Sequence, residues 1–198
     1  MSLFPRNTLV LATRNPGKVA EMDRYVRPLG VKVTTAAALG LPEVPETGTT
    51  FEENAGLKAA SAAAASGFAV LADDSGLEVD ALGGAPGVYT ADWAGPERNF
   101  RMAMKRLEAE VSAAGDDRRA RFISLLILEW PGGRRITARG SVDGSLVFPG
   151  RGTAGFGYDP VFIPDGDSKT FAEMTPTEKA KYSHRKRAND ILMRELTG

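Results

Sequence analysis

Apolar positions come in short runs near the start of the chain. Leu9–Leu11 lies between Asn7–Thr8 and Thr13, which predicts a buried strand over Asn7–Thr13. Pro16 then suits the first turn of a helix reaching about Arg27. Val31–Thr34 is a second short strand. A loop rich in Pro, Gly and Thr, Gly40–Thr49, leads to a helix from Phe51 to Ser66 that Gly67 stops. Ala69–Asp73 is the next strand, and "DDSG" reads as a polar turn ending at Gly76. The turn-rich "ALGGAPGVYTADWAG" precedes a helix over Pro96–Ser112. Arg121–Trp130 and Arg134–Val142 flank "PGG" as a β-hairpin. A glycine-dense segment, a strand "PVFI" and a helix to Glu195 complete the pattern. Strands and helices alternate early and the hairpin comes late, which describes an α/β fold with a mixed sheet and flanking helices.

With 198 residues the chain is expected to form one domain, 1–198, with a sizeable core. Lys+Arg and Asp+Glu are both 25, so the net charge is zero. That argues against a coat for nucleic acid or an anionic membrane, since both favour positive charge. Without cysteine there is no thiolate metal site and no Cys nucleophile, and one histidine, His184, excludes multi-His zinc sites. A metal here is therefore a hard cation held by oxygens. The apolar core of the N-terminal segment is about five residues, too short for a signal sequence or a membrane span. The cytoplasm is the default expectation.

Several short stretches carry candidate chemistry. "TRNPGK", Thr13–Lys18, lies where a strand yields to a helix. Backbone N–H groups and the helix dipole there can cradle phosphate, with Lys18 adding a point charge. It lacks the Walker A spacing, and alone it reads equally as a turn with a solvated lysine. "GRGTAG", Gly150–Gly155, matches the dinucleotide fingerprint only formally, because "FGYDPVF" follows instead of a helix. In "GFGYDP", two aromatics and a carboxylate on a flexible backbone suit stacking on a base; the competing reading packs Phe156 and Tyr158 in the core.

Thr50 and Glu53 form a capping box, while Asn54 and Lys58 share a helix face and can meet one ligand. Thr175, Pro176 and Glu178 form another box. On a straight helix, at about 100° per residue, His184 and Arg185 lie roughly 140° and 240° from Lys179. For all three to serve one site, the helix must break near Tyr182–Ser183, with Ser183 as a second N-cap. Asp73 and Asp74 point to opposite faces while their strand continues, so one of them faces a given site. A carboxylate at a strand's C-terminal end is well placed for Mg²⁺ and for orienting water.

"LATRNPGK", "FEENAGLKA", "LADDSGLEVDALGGAPGVYTADWAG", "GFGYDPVF" and "TPTEKAKYSHRKRA" occur in this order from Leu11 to Ala188. Together they resemble the inosine/xanthosine triphosphate pyrophosphatase family. The resemblance implies an elongated mixed sheet with two lobes around a nucleotide cleft, usually in a homodimer. It implies Mg²⁺-dependent hydrolysis of ITP, dITP, XTP and dXTP to the monophosphate plus pyrophosphate. Carried over by position, Thr13, Arg14, Asn15, Pro16, Gly17 and Lys18 wrap the triphosphate, although the family often has a smaller residue at Arg14. Asp74 matches the catalytic acid and metal ligand, Ser75 a substrate contact and Lys58 a phosphate-side lysine. Glu43 matches a second metal carboxylate, with Glu46 as its rival. Phe156, Gly157, Tyr158, Asp159, Lys179, His184 and Arg185 match the base-recognition set. Two alternatives stand beside this reading: a Maf-like pyrophosphatase of different base preference, and a nucleotide-binding protein without turnover.

Overall fold

The computed structural model describes residues 4–197. Met1–Leu3 and Gly198, which the single-domain expectation includes, lie outside the described residues. Six strands form one sheet: β1 (Thr8–Ala12), β2 (Lys32–Thr35), β3 (Ala69–Val79), β4 (Arg119–Glu129), β5 (Arg135–Leu146) and β6 (Phe162–Pro164). Their order is β2-β1-β3-β4-β5-β6, with β1 parallel to both β2 and β3 and β5 antiparallel to β6. The helices are α1 (Pro16–Val26), α2 (Phe51–Ser66), α3 (Phe100–Ala113), α4 (Pro176–Tyr182) and α5 (His184–Thr197). Among the described residues, no helix is long and apolar enough to cross a membrane.

The chain divides into two compact units. One comprises Met1–Asp74, Ser124–Gly140 and Arg187–Gly198. In it β1 is buried along its whole length, as expected of a parallel strand covered on both faces. Strand alternation sorts its side chains. Leu9 and Leu11, with Ala69 and Leu71 of β3, pack with Met22 and Val26 of α1 and Ala188 and Leu192 of α5. Val10 and Ala12, with Val70 and Ala72, pack with Ala55, Ala59 and Ala63 of α2. The alanines let the α2 backbone approach the sheet closely. A larger side chain at Ala59, which is fully buried, is expected to cost about 1–3 kcal/mol through overpacking. The capping box of Thr50 and Glu53 starts α2, and Gly67, at φ 68°, ends it in the left-handed region.

The other unit comprises Ser75–Ile123 and Ser141–Lys186. Leu77, Val79, Leu107, Val111, Val142 and Leu146 surround an aromatic cluster. Phe122 meets Phe162 edge-on at 4.7 Å and stacks on Phe171 at 5.9 Å.

Two expectations change and a third is met. The strand expected to end at Asp73 runs on to Val79, so "DDSG" is not a turn. Paired lysines neutralise its carboxylates, the Thr90 hydroxyl accepts from the Leu77 N–H at 2.9 Å, and Leu77 and Val79 anchor its far end in a core. The third helix begins at Phe100 rather than Pro96, because Asn99 caps it by accepting from the Met102 N–H. The last helix breaks at Ser183, as the spacing of Lys179, His184 and Arg185 requires. The Ser183 hydroxyl accepts from the Lys186 N–H and opens a second helix. No helix follows "GRGTAG" directly, in keeping with rejection of a dinucleotide fold.

Candidate active site

Alternation along β3 carries on from the hydrophobic residues to the charged ones. Asp73 has the parity of Ala69 and Leu71, the face covered by α1, and its carboxylate meets Lys18 of α1 at 2.6 Å. Asp74 has the parity of Val70 and Ala72, the face covered by α2, and its Oδ1 lies 3.4 Å from Lys58 Nζ of α2. Each carboxylate thus pairs with the lysine of the helix that covers its face. Asp73 is further fixed by the Ser124 hydroxyl, which donates at 2.7 Å. Its side chain is wholly buried and serves as a structural counter-ion.

Asp74 is held less completely. Its side chain is buried, yet Oδ2 has no hydrogen-bond partner among the described residues. Burial is the strongest influence on it and pushes its carboxyl up to about 6; Lys58 and then Lys18 pull it down, while Glu46 and Asp73 push it up. A carboxyl poised there takes and gives a proton near neutral pH.

Glu46, the rival of Glu43, is the carboxylate of the Gly40–Thr49 loop placed beside this group. It accepts from Lys58 Nζ at 3.2 Å. Glu43 is largely exposed and lies 3.7 Å from the Arg14 guanidinium. The loop is pinned by Asn54, whose buried amide oxygen accepts from the Gly48 N–H at 2.8 Å. A Cβ at Gly48 would lie 2.5 Å from Glu53 Cβ, so the chain passes here only as glycine. Asn54 therefore holds a loop, where a shared helix face with Lys58 had suggested a common ligand.

The Thr13–Lys18 loop differs from the expected open cradle. Asn15 caps α1, its side-chain oxygen accepting from the N–H groups of Gly17 at 2.9 Å and Lys18 at 3.3 Å. Thr13 Oγ1 accepts from the Asn15 N–H, and the Val19 N–H donates to the Asn15 carbonyl. Pro16 has no N–H. The amides from Asn15 to Val19 thus already have partners, and anion contacts here fall to side chains. Arg14 is exposed, with Nη2 donating to the Leu41 carbonyl.

The second unit holds a separate charged group. Lys179 Nζ and Asp159 form a buried ion pair at 2.7 Å, and the same Asp159 oxygen accepts from the Phe156 N–H at 2.9 Å. The Lys179 ammonium lies 4.9 Å from the Phe156 ring centroid, and the Arg185 guanidinium lies 5.8 Å from it. Arg185 is fully buried and donates from Nη2 to Ser75 Oγ at 2.9 Å. His184 is also buried and stacks on Phe122 at 4.9 Å, with 13° between the planes. Gly157 adopts φ 65° and supplies the turn that follows Phe156.

Tyr158, placed with this set by sequence, turns into the core. It packs edge-on against Phe100, and its hydroxyl donates to the Thr90 carbonyl. Sequence reading passed over Ser124 and Phe122 and gave Gly155 no role of its own. A Cβ at Gly155 would lie 2.0 Å from Asp159 Oδ2, so this glycine gives the carboxylate its room. The glycine density of "GTAGFG" was the one available signal. Nothing local marks Ser124 or Phe122, whose partners are 51 and 62 positions away.

The Ham1 family model matches residues 9–195 of this chain. A dITP/XTP pyrophosphatase from Caulobacter vibrioides is 54% identical over 181 residues, covering 91% of this chain and 93% of the relative. One from Brucella melitensis is 52% identical over 203 residues, covering 95% and 92%. A solved HAM1 protein from Coxiella burnetii superposes with a TM-score of 0.88 at 37% identity, covering 96% of this chain and 98% of that one.

Proposed function

Because the chain belongs to the Ham1 family, we propose that it is a pyrophosphatase for non-standard purine nucleotides. It hydrolyses ITP, dITP, XTP and dXTP to the monophosphate plus pyrophosphate. The observation that carries the chemistry is the buried Asp74, with one oxygen on Lys58 and the other without a partner. Relatives named dITP/XTP pyrophosphatase supply the substrate class.

The residues fit a magnesium ion. Asp74 and Glu46 are hard oxygen donors that both meet Lys58, and Asp74 Oδ2 has no hydrogen-bond partner among the described residues. Among the described residues no group of three or more His, Cys, Asp or Glu is arranged to hold a metal. Mg²⁺ suits such a partial shell, since it keeps several waters and takes phosphate oxygens as ligands. When bound, it neutralises charge on the phosphates.

The chain's own groups do the rest. Lys18 and Lys58 offset negative charge on the triphosphate. Asp74 orients a water and takes its proton as the water adds to phosphorus. The α–β anhydride breaks and pyrophosphate leaves. Phe156 offers a ring for stacking on the base, in reach of the Lys179 and Arg185 cations. Hypoxanthine and xanthine present an acceptor at O6, where adenine has an amine donor. Donors from His184 and Arg185 therefore favour the first two and leave unpaired polar groups against adenine. Tyr158 acts here by packing.

Pyrophosphate release from ITP, XTP, ATP, GTP and dTTP, with and without Mg²⁺, tests this reading. Release from ITP and XTP that requires Mg²⁺ is expected. Equal rates on ATP and ITP would defeat the selectivity claim, and no release from any would leave a binding protein. Family resemblance also supports a homodimer, which sedimentation at micromolar concentration checks. Neutral net charge and the lack of cysteine support a cytoplasmic setting.

A further inference from the structure

Lys58 is bound on three sides. Its ammonium donates to the Asp73 carbonyl at 2.8 Å, Glu46 Oε1 at 3.2 Å and Asp74 Oδ1 at 3.4 Å. An ammonium has three N–H bonds, so these acceptors use all of its donors. Two of the three belong to the carboxylates assigned above to the metal. The side chain is 13% exposed, and it reaches them from the second turn of α2, which the capping box and the alanine face hold in place.

We propose that Lys58 is a placeholder cation, occupying the metal-binding carboxylates when nucleotide and metal are absent and yielding them when the ion enters. The proposal rests on the assignment of Asp74 and Glu46 as the metal pair. The reason is electrostatic. A buried carboxylate without a nearby cation is costly; Asp73 and Asp74 are both buried, and with the half-exposed Glu46 they put three carboxylates beside two lysines. Lys18 meets Asp73 at 2.6 Å, while Lys58 lies within hydrogen-bond reach of both others. A divalent ion taking those oxygens removes two acceptors from Lys58 and places a like charge close to it. The ammonium then turns toward the phosphate oxygens that arrive with the ion. Metal entry and lysine release are thereby one exchange. The free protein binds the ion weakly, and bare metal does not trap the empty site.

This predicts an unusual sign: deleting a positively charged substrate-binding residue tightens metal binding in the absence of substrate. Titration of the nucleotide-free protein with Mn²⁺ alone, followed by calorimetry or by the electron-spin resonance of free Mn²⁺, reads it directly. All titrations are run at pH 8. Lys58→Met and Lys58→Gln are expected to lower the Mn²⁺ Kd about tenfold or more, while Lys58→Arg, which keeps the charge, stays near wild type. Glutamine retains a donor for the Asp73 carbonyl, so it covers the case in which the methionine variant folds poorly. All four proteins lose Mn²⁺ binding when Asp74→Asn is added. Unchanged or weaker binding in the Gln variant, with normal binding in wild type, overturns the placeholder role. Mn²⁺ binding that survives Asp74→Asn in wild type overturns the metal-site assignment beneath it.

Discussion

Each unit sets a lysine against a buried aspartate, and the two groups are built differently. Asp159 and Lys179 form a short contact at 2.7 Å, and the carboxylate also takes a backbone N–H. The Lys179 ammonium is framed by the Phe156 and Phe171 rings. Around Asp74, three carboxylates face two lysines, the closest Asp74 contact is a long 3.4 Å, and one oxygen has no partner. A completed ion pair fixes shape, which suits recognition of a base. An incomplete one keeps a carboxylate reactive and an oxygen open, which suits chemistry.

The largest expected effect separates the two groups by activity. Asp74→Asn should lower kcat on ITP by about 10³–10⁴-fold with the fold intact, because it removes both the proton acceptor and a metal oxygen. Steady-state kinetics alongside circular dichroism check this. Near-normal turnover would remove Asp74 from the mechanism. Disturbing the Asp159–Lys179 pair should damage stability instead. Lys179→Met removes the ammonium 2.7 Å from the buried Asp159 and is expected to lower unfolding free energy by about 3–5 kcal/mol in urea titrations. A change within 1 kcal/mol would show that the pair is not held as tightly as its geometry indicates.

The third test uses pH. Asp74 titrates at about 6 in the folded chain against an ordinary value of 3.8, so the folded state binds the proton more tightly than the unfolded state. Its contribution to stability is fully present below about pH 4, falls between about pH 4 and 6, and is gone above that. Metal-free protein should therefore lose on the order of 2–3 kcal/mol from this group over that window. In Asp74→Asn that loss should vanish, leaving the variant more stable than wild type at pH 8 without metal. Thermal melts across pH 4–8 in a chelator decide it, and identical pH profiles for the two proteins would contradict the assigned shift.

The smallest effect distinguishes the two loop glutamates. Glu46→Gln is expected to raise the Mg²⁺ concentration for half-maximal rate about tenfold or more. Glu43→Gln, whose partner is an exposed arginine, should stay within about twofold, as surface pairs contribute little. The reverse result would reinstate Glu43.

Local chemistry made much of the architecture legible. Thr50 with Glu53 and Thr175 with Glu178 announce helix starts because a capping box closes within four residues. The break at Ser183 followed from requiring Lys179, His184 and Arg185 to face one place. Strand β3 was read too short because Asp, Ser and Gly are poor strand formers. Its continuation depends on lysines and a threonine that reach it from elsewhere in the chain. The sequence also left unread that Asn15 spends its side-chain oxygen on the helix it begins.

The sequence by itself determined that Asp73 and Asp74 are not equivalent, since adjacent residues of a strand point to opposite faces whatever surrounds them. It determined the helix caps and the family motifs for the same reason: each is set by neighbours in the chain. Only the tertiary structure decided which lysine serves which carboxylate, that Glu46 rather than Glu43 stands beside Asp74, that Ser124 completes Asp73, and that Tyr158 belongs to the core. Those outcomes depend on which helix covers which face of the sheet. That choice is made by buried apolar area over the whole unit, and no single motif contains it.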